Sequence, residues 1–402
     1  MTALRRGGPL EGVRVIELSK IWAGPETGKQ FAFLGAEVIK IETQGSLDFT
    51  RFDTLTGNID KARGFMSVNP QKLSAQIDIK SPRGIGLVLD LLRHADILVD
   101  NLRPGAMERL GLGWEAVRAV NPRIVQITMG MYGNDGPLAY QTGYAPCFCA
   151  IGGLSALVGY PGEPPTGINM RYADSTYGTV AAYAGLVALL HARRTGEGQF
   201  VDVSAVECMT TMVADAMIEH ALAGTEPASD GARHADMAPH GLFACAEGAW
   251  ISIAVSNDAA WAGMAEAMGR PELAADPRFA GLAARKAHED ELEALVSAWT
   301  QGQPVGALVS LLQSQGVAAG KSATSIDLVA DQLLWQRGFF PDASQPDGTI
   351  RPIVGPGAKM TEPARICDDA PWLGADTDYV LGELLGISEE ARAELKQAGI
   401  TN

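Results

Sequence analysis

A basic surplus is missing from this sequence. Its 402 residues carry 32 Lys and Arg against 47 Asp and Glu, a formal net charge of -15. Nucleic-acid binders normally expose a basic face, so that class is excluded, while local basic pockets for a small phosphorylated ligand are not. Long apolar runs are missing too. None approaches the ~18 residues of a membrane span, so no membrane partner is expected. The N-terminal "MTALRRGGPLEGVRVIEL" has two arginines but no apolar signal core before the first strand. No secretory signal is expected.

Cysteine is sparse. The five residues Cys147, Cys149, Cys208, Cys245 and Cys367 are odd in number in a large chain, which argues against a disulfide framework and for a reducing, cytoplasmic location. "CFC" (147–149) has one residue between its cysteines and no histidine cluster nearby. It reads as two small core residues, and no metal site is expected.

Two catalytic signatures are absent as well. A dinucleotide fold needs Gly-x-Gly-x-x-Gly in its first βα turn, and "KIWAGPETG" has glycine only at 24 and 28. No permanently bound NAD or FAD is expected. A nucleophile elbow needs Gly-x-Ser-x-Gly, whereas "GGLSALVG" has Leu157 two places after Ser155. His94, His191 and His220 lie in helical patterns. His234 and His240 lie in a polar loop and are candidates to face a cleft.

What is present is a globular composition, 47% hydrophobic and 20% charged, long enough for two or three domains. "GVRVIELS" (12–19) reads as a buried strand, "KIWAGP" as a turn, "ETGKQFAFLG" as a helix and "AEVIKIE" (36–42) as a second strand. The pattern recurs with "SAQIDI", the Pro-started helix "SPRGIGLVLDLLRHA", "DILVDNL" (96–102) and "RIVQITMGMYG" (123–133). Strands alternating with helices predict an open α/β domain with a parallel sheet. A loop-like stretch at 224–240 marks a boundary. Beyond it, "GLFACAEGAWISIAVS" reads as a hairpin turning near Glu247–Gly248, followed by helices. The expected organisation is a large domain over 1–224, a small α+β domain over 225–335, and a C-terminal segment over 336–402 with a strand pair and terminal helices.

"GINMRYADSTYG" (167–178) places one carboxylate, Asp174, ahead of the small-residue run "TVAAYAGLVALLHARR". Local pattern reads it as a helix N-cap. A carboxylate is also a nucleophile that is ionised at neutral pH without a base, provided an electrophilic acyl group is held against it and water is kept out. Pattern alone leaves both readings open.

In order and spacing, the segments "AGP…FLGAEVIKIE", "IDIKSPRG…ADILVDNLRPGAMERLGLGWE", "NPRIVQITMGMYG", "DSTYG…RRTGEGQFVDVS" and "LGADTDYVL" resemble the family III CoA-transferases, the group containing formyl-CoA and carnitine CoA-transferases. The resemblance spans nearly the whole chain. It implies a Rossmann-like large domain built from both chain ends, a smaller domain, and two chains interlocked as linked rings with the cleft between the large domain of one and the small domain of the other. It places the nucleophile at Asp174 and CoA contacts at Ile21, Ala23, Lys72, Asn101, Leu102 and Arg109. Lys72, Arg103 and Arg109 are also cations placed just after strand ends, where α/β sheets bind ligands. CoA and acyl-CoA enter as substrates.

Trp22 stands where formyl-CoA transferases have Gln, and "SDGARHADMAPHG" replaces their glycine-rich lid. Both argue against a formyl or oxalyl substrate and for a bulkier pocket, to which Trp22, Tyr144 and His240 are assigned. The resemblance implies transfer of CoA to a free carboxylic acid through an aspartyl anhydride and an aspartyl-CoA thioester. Two other readings compete. α-Methylacyl-CoA racemase shares the fold, but its histidine base is replaced here by Tyr144 in "TGYAP", and a neutral phenol is a poor base for an α-proton. A non-catalytic CoA-binding subunit of a hetero-oligomer is the other. "GYAPCFCAIGGLSALVGYPGEPP" is most similar to the branch acting on aryl- or alkyl-substituted succinates with succinyl-CoA as donor, in homodimers or hetero-oligomers.

Overall fold

The structure is a computed structural model that describes residues 6–168 and 171–401. The chain divides into two compact units. One comprises residues up to Ser155, Gly167–Gly224 and the chain from Leu333 onward; the other comprises Ala156–Thr166 and Thr225–Gln332. A single boundary at 224 does not capture the short excursion at 156–166.

The first unit is built on six parallel strands, β1 (Arg14–Glu17), β2 (Glu37–Glu42), β3 (Leu73–Gln76), β4 (Ile97–Asp100), β5 (Val125–Gly130) and β6 (Gln199–Ser204). Their order is β3-β2-β1-β4-β5-β6. The near-continuous apolar runs of the sequence become strands covered on both faces. Successive residues point to opposite sides: Val15 joins one core with Phe31, Ile127 and Ala181, and Ile16 joins another with Leu98, Val88 and Leu395.

Helices α1 (Ala23–Phe33), α2 (Arg63–Val68), α3 (Pro82–Leu92), α4 (Ala106–Arg109), α5 (Trp114–Val120), α6 (Ala145–Ile151), α7 (Tyr172–Thr195) and α8 (Ala205–Thr210) connect and flank the strands. Helix α1 begins at Ala23, earlier than the turn expected over "KIWAGP". Pro25 falls in the first helical turn, where a missing N–H costs nothing. The long helix α7 needs its small residues. A Cβ on Gly178 would lie 2.6 Å from the Ala23 carbonyl oxygen and 2.9 Å from Glu26 Cβ, so its absence lets the starts of α1 and α7 approach closely. Past β6 the helical pattern breaks into α8, a short 3-10 turn and α9 (Ala214–Ala223).

The C-terminal segment closes the other edge of this unit. Asp376 accepts from Ser74 N–H (2.8 Å) and donates its own N–H to Ser74 O (2.9 Å), while Thr377 Oγ1 accepts from Gln76 N–H (3.0 Å). The "LGADTDYV" motif thereby satisfies the open edge of β3. Arg6 pairs with Asp368 at 2.8 Å and donates to the Gln71 carbonyl.

In the second unit, β7 (His240–Ala244), β8 (Trp250–Ala254) and β9 (Ala318–Lys321) form an antiparallel sheet. The hairpin turn contains Glu247 and Gly248, both at positive φ. Helices α10 (Asp258–Ala267), α11 (Leu282–Ala287), α12 (Glu289–Thr300), α13 (Val305–Ser314) and α14 (Ser325–Ala330) complete this unit, whose core gathers Trp261, Phe279, Leu292 and Leu312. The chain then runs through α15 (Gln332–Gln336), the strand pair β10 (Asp342–Ser344) and β11 (Ile350–Pro352), a π-helical turn at Tyr379–Leu384 and α16 (Glu389–Gln397).

Candidate active site

The sheet order reverses direction between β1 and β4, and ligands of open α/β sheets bind at such a switch point beyond the strands' carboxyl ends. The segment after β1 is Lys20–Ile21–Trp22; the segment after β4 is Asn101–Leu102–Arg103. Asn101 clamps the two together. Its Oδ1 accepts from Lys20 N–H (2.8 Å) and its Nδ2 donates to Lys20 O (2.7 Å). Ile21 has φ 72°, a left-handed conformation costly for a β-branched residue. Its N–H donates to Asp48 Oδ1 at 3.0 Å. Leu102 packs against the neighbouring core. Arg103 and Arg109 are exposed, and among the described residues neither forms an ion pair.

Lys72 departs from its expected place. Its ammonium donates to Glu17 Oε2 (2.7 Å), Pro25 O (2.7 Å) and Asn69 Oδ1 (2.8 Å), so its three hydrogens are spent inside the protein. The side chain is wholly buried, and burial pushes its pKa down to about 8. Lys72 is therefore not a surface cation free to meet a ligand. It shares Glu17 with Lys40, which also binds Ser19 O (2.7 Å) and Asp48 (3.1 Å). Burial alone would depress Lys40, but the Asp48, Glu17 and Glu42 carboxylates hold it above its ordinary value. Glu42 pairs with Arg51 at 2.7 Å. These buried charges underlie the turn at residues 20–22. They also explain Gly28, whose Cβ would strike Glu17 Oε2 at 1.8 Å; its role is close packing rather than phosphate approach.

Asp174 lies in the first turn of α7, but the N-cap position belongs to Arg171 and no side chain caps that end. The capping reading therefore fails. The carboxylate is half-buried, and among the described residues no donor is placed on it. Burial pushes it up to about 6, against the pull of the Arg171 cation. It is thus ionised at neutral pH and poorly solvated, the condition of a carboxylate nucleophile. Its neighbour Ser175 accepts from Trp22 Nε1 through Oγ at 3.1 Å. That bond joins the start of α7 to the start of α1, and so brings Asp174 to the carboxyl end of β1. Arg171 lies over the Trp22 ring, 4.2 Å from its centre.

Cys149 is buried in α6 near Asp174, and burial and then the Asp174 charge raise its pKa. Cys147 is exposed. Tyr144 is exposed at the N-cap of α6, and α6 packs on α7. His240 opens β7 in the second unit, where its ring lies 5.4 Å from that of His234. The residues missed from the sequence are Arg171, Ser175 and Asp48. Arg171 was visible as the one cation of "GINMRYADSTYG", but nothing local tied it to Trp22, far away in sequence.

The pattern of CoA-transferase family III matches residues 10–377. The chain belongs to that family. As a family III CoA-transferase it is 34% identical over 398 residues to the succinyl-CoA--D-citramalate CoA-transferase of Chloroflexus aurantiacus, covering 98% of this chain and 99% of that one. It is 33% identical to the alpha subunit of succinyl-CoA--L-malate CoA-transferase from Chloroflexus aurantiacus, covering 98% of this chain and 92% of that one. Among solved structures, a CaiB/BaiF family protein from Brucella suis superimposes with a TM-score of 0.85 at 30% identity, covering 94% of this chain and 100% of that one. The parallel six-stranded α/β architecture is that of this family, and acyl-CoA thioesters are its substrates.

Proposed function

We propose that this CoA-transferase moves CoA from succinyl-CoA to a substituted succinate or similar acid, with Asp174 as the covalent carrier. The carrying observation is a half-buried carboxylate that has no donor on it among the described residues, held beside the switch-point turn by the Trp22–Ser175 bond. Relatives that act with succinyl-CoA on citramalate and malate support the donor and the acid class.

In this reading Asp174 attacks the thioester carbonyl, and CoA leaves as the thiolate. A mixed anhydride remains. The thiolate attacks the aspartyl carbonyl and releases succinate, leaving an aspartyl-CoA thioester. The acceptor carboxylate displaces the thiolate to form a second anhydride. Thiolate attack on its acyl side then gives the product thioester and restores the Asp174 carboxylate. Backbone N–H groups in the first turn of α7 suit the transient oxyanions. Exclusion of water protects the anhydrides. Trp22, under the Arg171 guanidinium, and the exposed Tyr144 are assigned to the acyl pocket, and His240 is assigned to substrate contact. Ile21, Ala23, Asn101, Leu102, Arg103 and Arg109 are assigned to CoA. We infer as well that the active particle contains two chains of this family, identical or homologous.

The test is isotopic. Acceptor labelled with 18O in its carboxylate leaves one labelled oxygen in Asp174, read by peptide mass spectrometry, and Asp174→Ala falls below a few per cent of wild-type turnover. Rapid deuterium uptake at the α-carbon of a 2-methylacyl-CoA, with no label in Asp174, would instead establish racemase chemistry.

A further inference from the structure

Arg171 stands immediately before α7, three residues ahead of Asp174. Its guanidinium lies on the Trp22 ring at 4.2 Å. The ring is itself fixed by its hydrogen bond to Ser175 Oγ at 3.1 Å. The residue is exposed, and among the described residues its guanidinium forms no ion pair and no hydrogen bond. Asp174 is near enough to feel the cation yet is not paired with it. Stacking uses the face of a guanidinium and leaves the N–H donors in its plane. The guanidinium, unpaired among the described residues, thus has N–H donors to offer a carboxylate bidentately.

We propose that Arg171, held on Trp22, determines specificity by binding the distal carboxylate of a dicarboxylic acyl group whose other carbonyl reacts at Asp174. This rests on the transferase reading above and names its substrate class. The fork solves an electrostatic problem of that reaction. A diacid brings a second negative charge towards an ionised, poorly solvated aspartate, and like charges in such surroundings repel strongly. A fixed cation between them offsets the repulsion and selects against acyl chains that end in a methyl group. Those would leave the guanidinium desolvated without a partner.

The experiment is isotope exchange between an acyl-CoA and its own 13C-labelled acid, with succinyl-CoA/succinate and butyryl-CoA/butyrate as the two pairs. The readout is the ratio of the two kcat/KM values. Wild type should favour the succinyl pair strongly. Arg171→Gln should collapse that ratio by about 30- to 100-fold, the loss expected for a bidentate charged contact. Arg171→Lys, which keeps the charge but not the planar fork, should fall between them, and it carries the test alone if the Gln variant does not fold. A ratio that stays put while both rates fall would assign Arg171 a purely structural role and overturn the proposal. A wild type without preference for the succinyl pair would overturn it as well. No exchange by wild type with either pair would sink the transferase reading itself.

Discussion

Asp174 illustrates how a reactive residue weighs on the fold that carries it. Its folded pKa near 6 lies above the ~3.9 of an unfolded aspartate. Between those values the folded chain binds more protons than the unfolded one, so stability falls as pH rises. The cost of the ionised carboxylate is complete above pH ~6 and absent below ~4. Asp174→Asn is therefore expected to stabilise the protein at pH 8 by about 1–2 kcal/mol, allowing for solvent screening of a half-buried group. The gain should fade as pH drops from 6 to 4, as thermal melting across that range will show. A gain independent of pH, or a loss at pH 8, would contradict the assignment. In the sequence the aspartate was visible but its state was not. "RYADST" has the form of a capped helix start, and only the fold reveals that the carboxylate caps nothing.

At the scale of elements, the turn after β1 is supported from below by charge. Asp48 holds Ile21 N–H and faces Lys40 at 3.1 Å. Asp48→Asn keeps the shape but removes the charge opposite a fully buried ammonium. It should cost about 2–4 kcal/mol, and it should raise KM for the acyl-CoA by roughly tenfold through the loosened turn, with a smaller effect on kcat. Melting curves and steady-state kinetics give the split; an equal fall in kcat would place Asp48 in the chemistry instead. The parallel strands were legible because buried strands are continuous apolar runs. The network beneath them was not. Glu17 and Lys40 interrupt two of those runs, and Lys72 reads as a ligand cation, because pairing across strands has no local signature. The start of α1 was obscured in the same way, since Pro25 and Gly24 resemble a turn until the helix is seen to begin around them. Helix α6, seven residues long, has no apolar period to mark it in the sequence.

At the scale of the molecule, the first unit depends on the far end of the chain. Replacing both Asp376 by Ala and Thr377 by Val would leave the Ser74 and Gln76 amides of β3 without partners. Each such loss costs about 1–3 kcal/mol. Hydrogen exchange in a peptide covering 73–76 should then quicken well before exchange in β5; uniform acceleration across the sheet would argue that the segment acts only globally. The family resemblance implies that this segment returns to the large domain, whereas the hydrogen bonds it makes to β3 have no signature in the sequence. The same arrangement has a bearing on biosynthesis. The strand β3 leaves the ribosome early, and its edge is covered only by residues that follow about 300 positions later. At 5–20 residues per second that is roughly 15–60 s. Throughout that interval the nascent sheet offers unpaired backbone to any passing strand. The whole second unit is made in the meantime, which gives it time to fold before the first can close. Chaperone occupancy during translation should therefore concentrate on the early part of this chain, and a ribosome stalled before residue 376 would hold an aggregation-prone product.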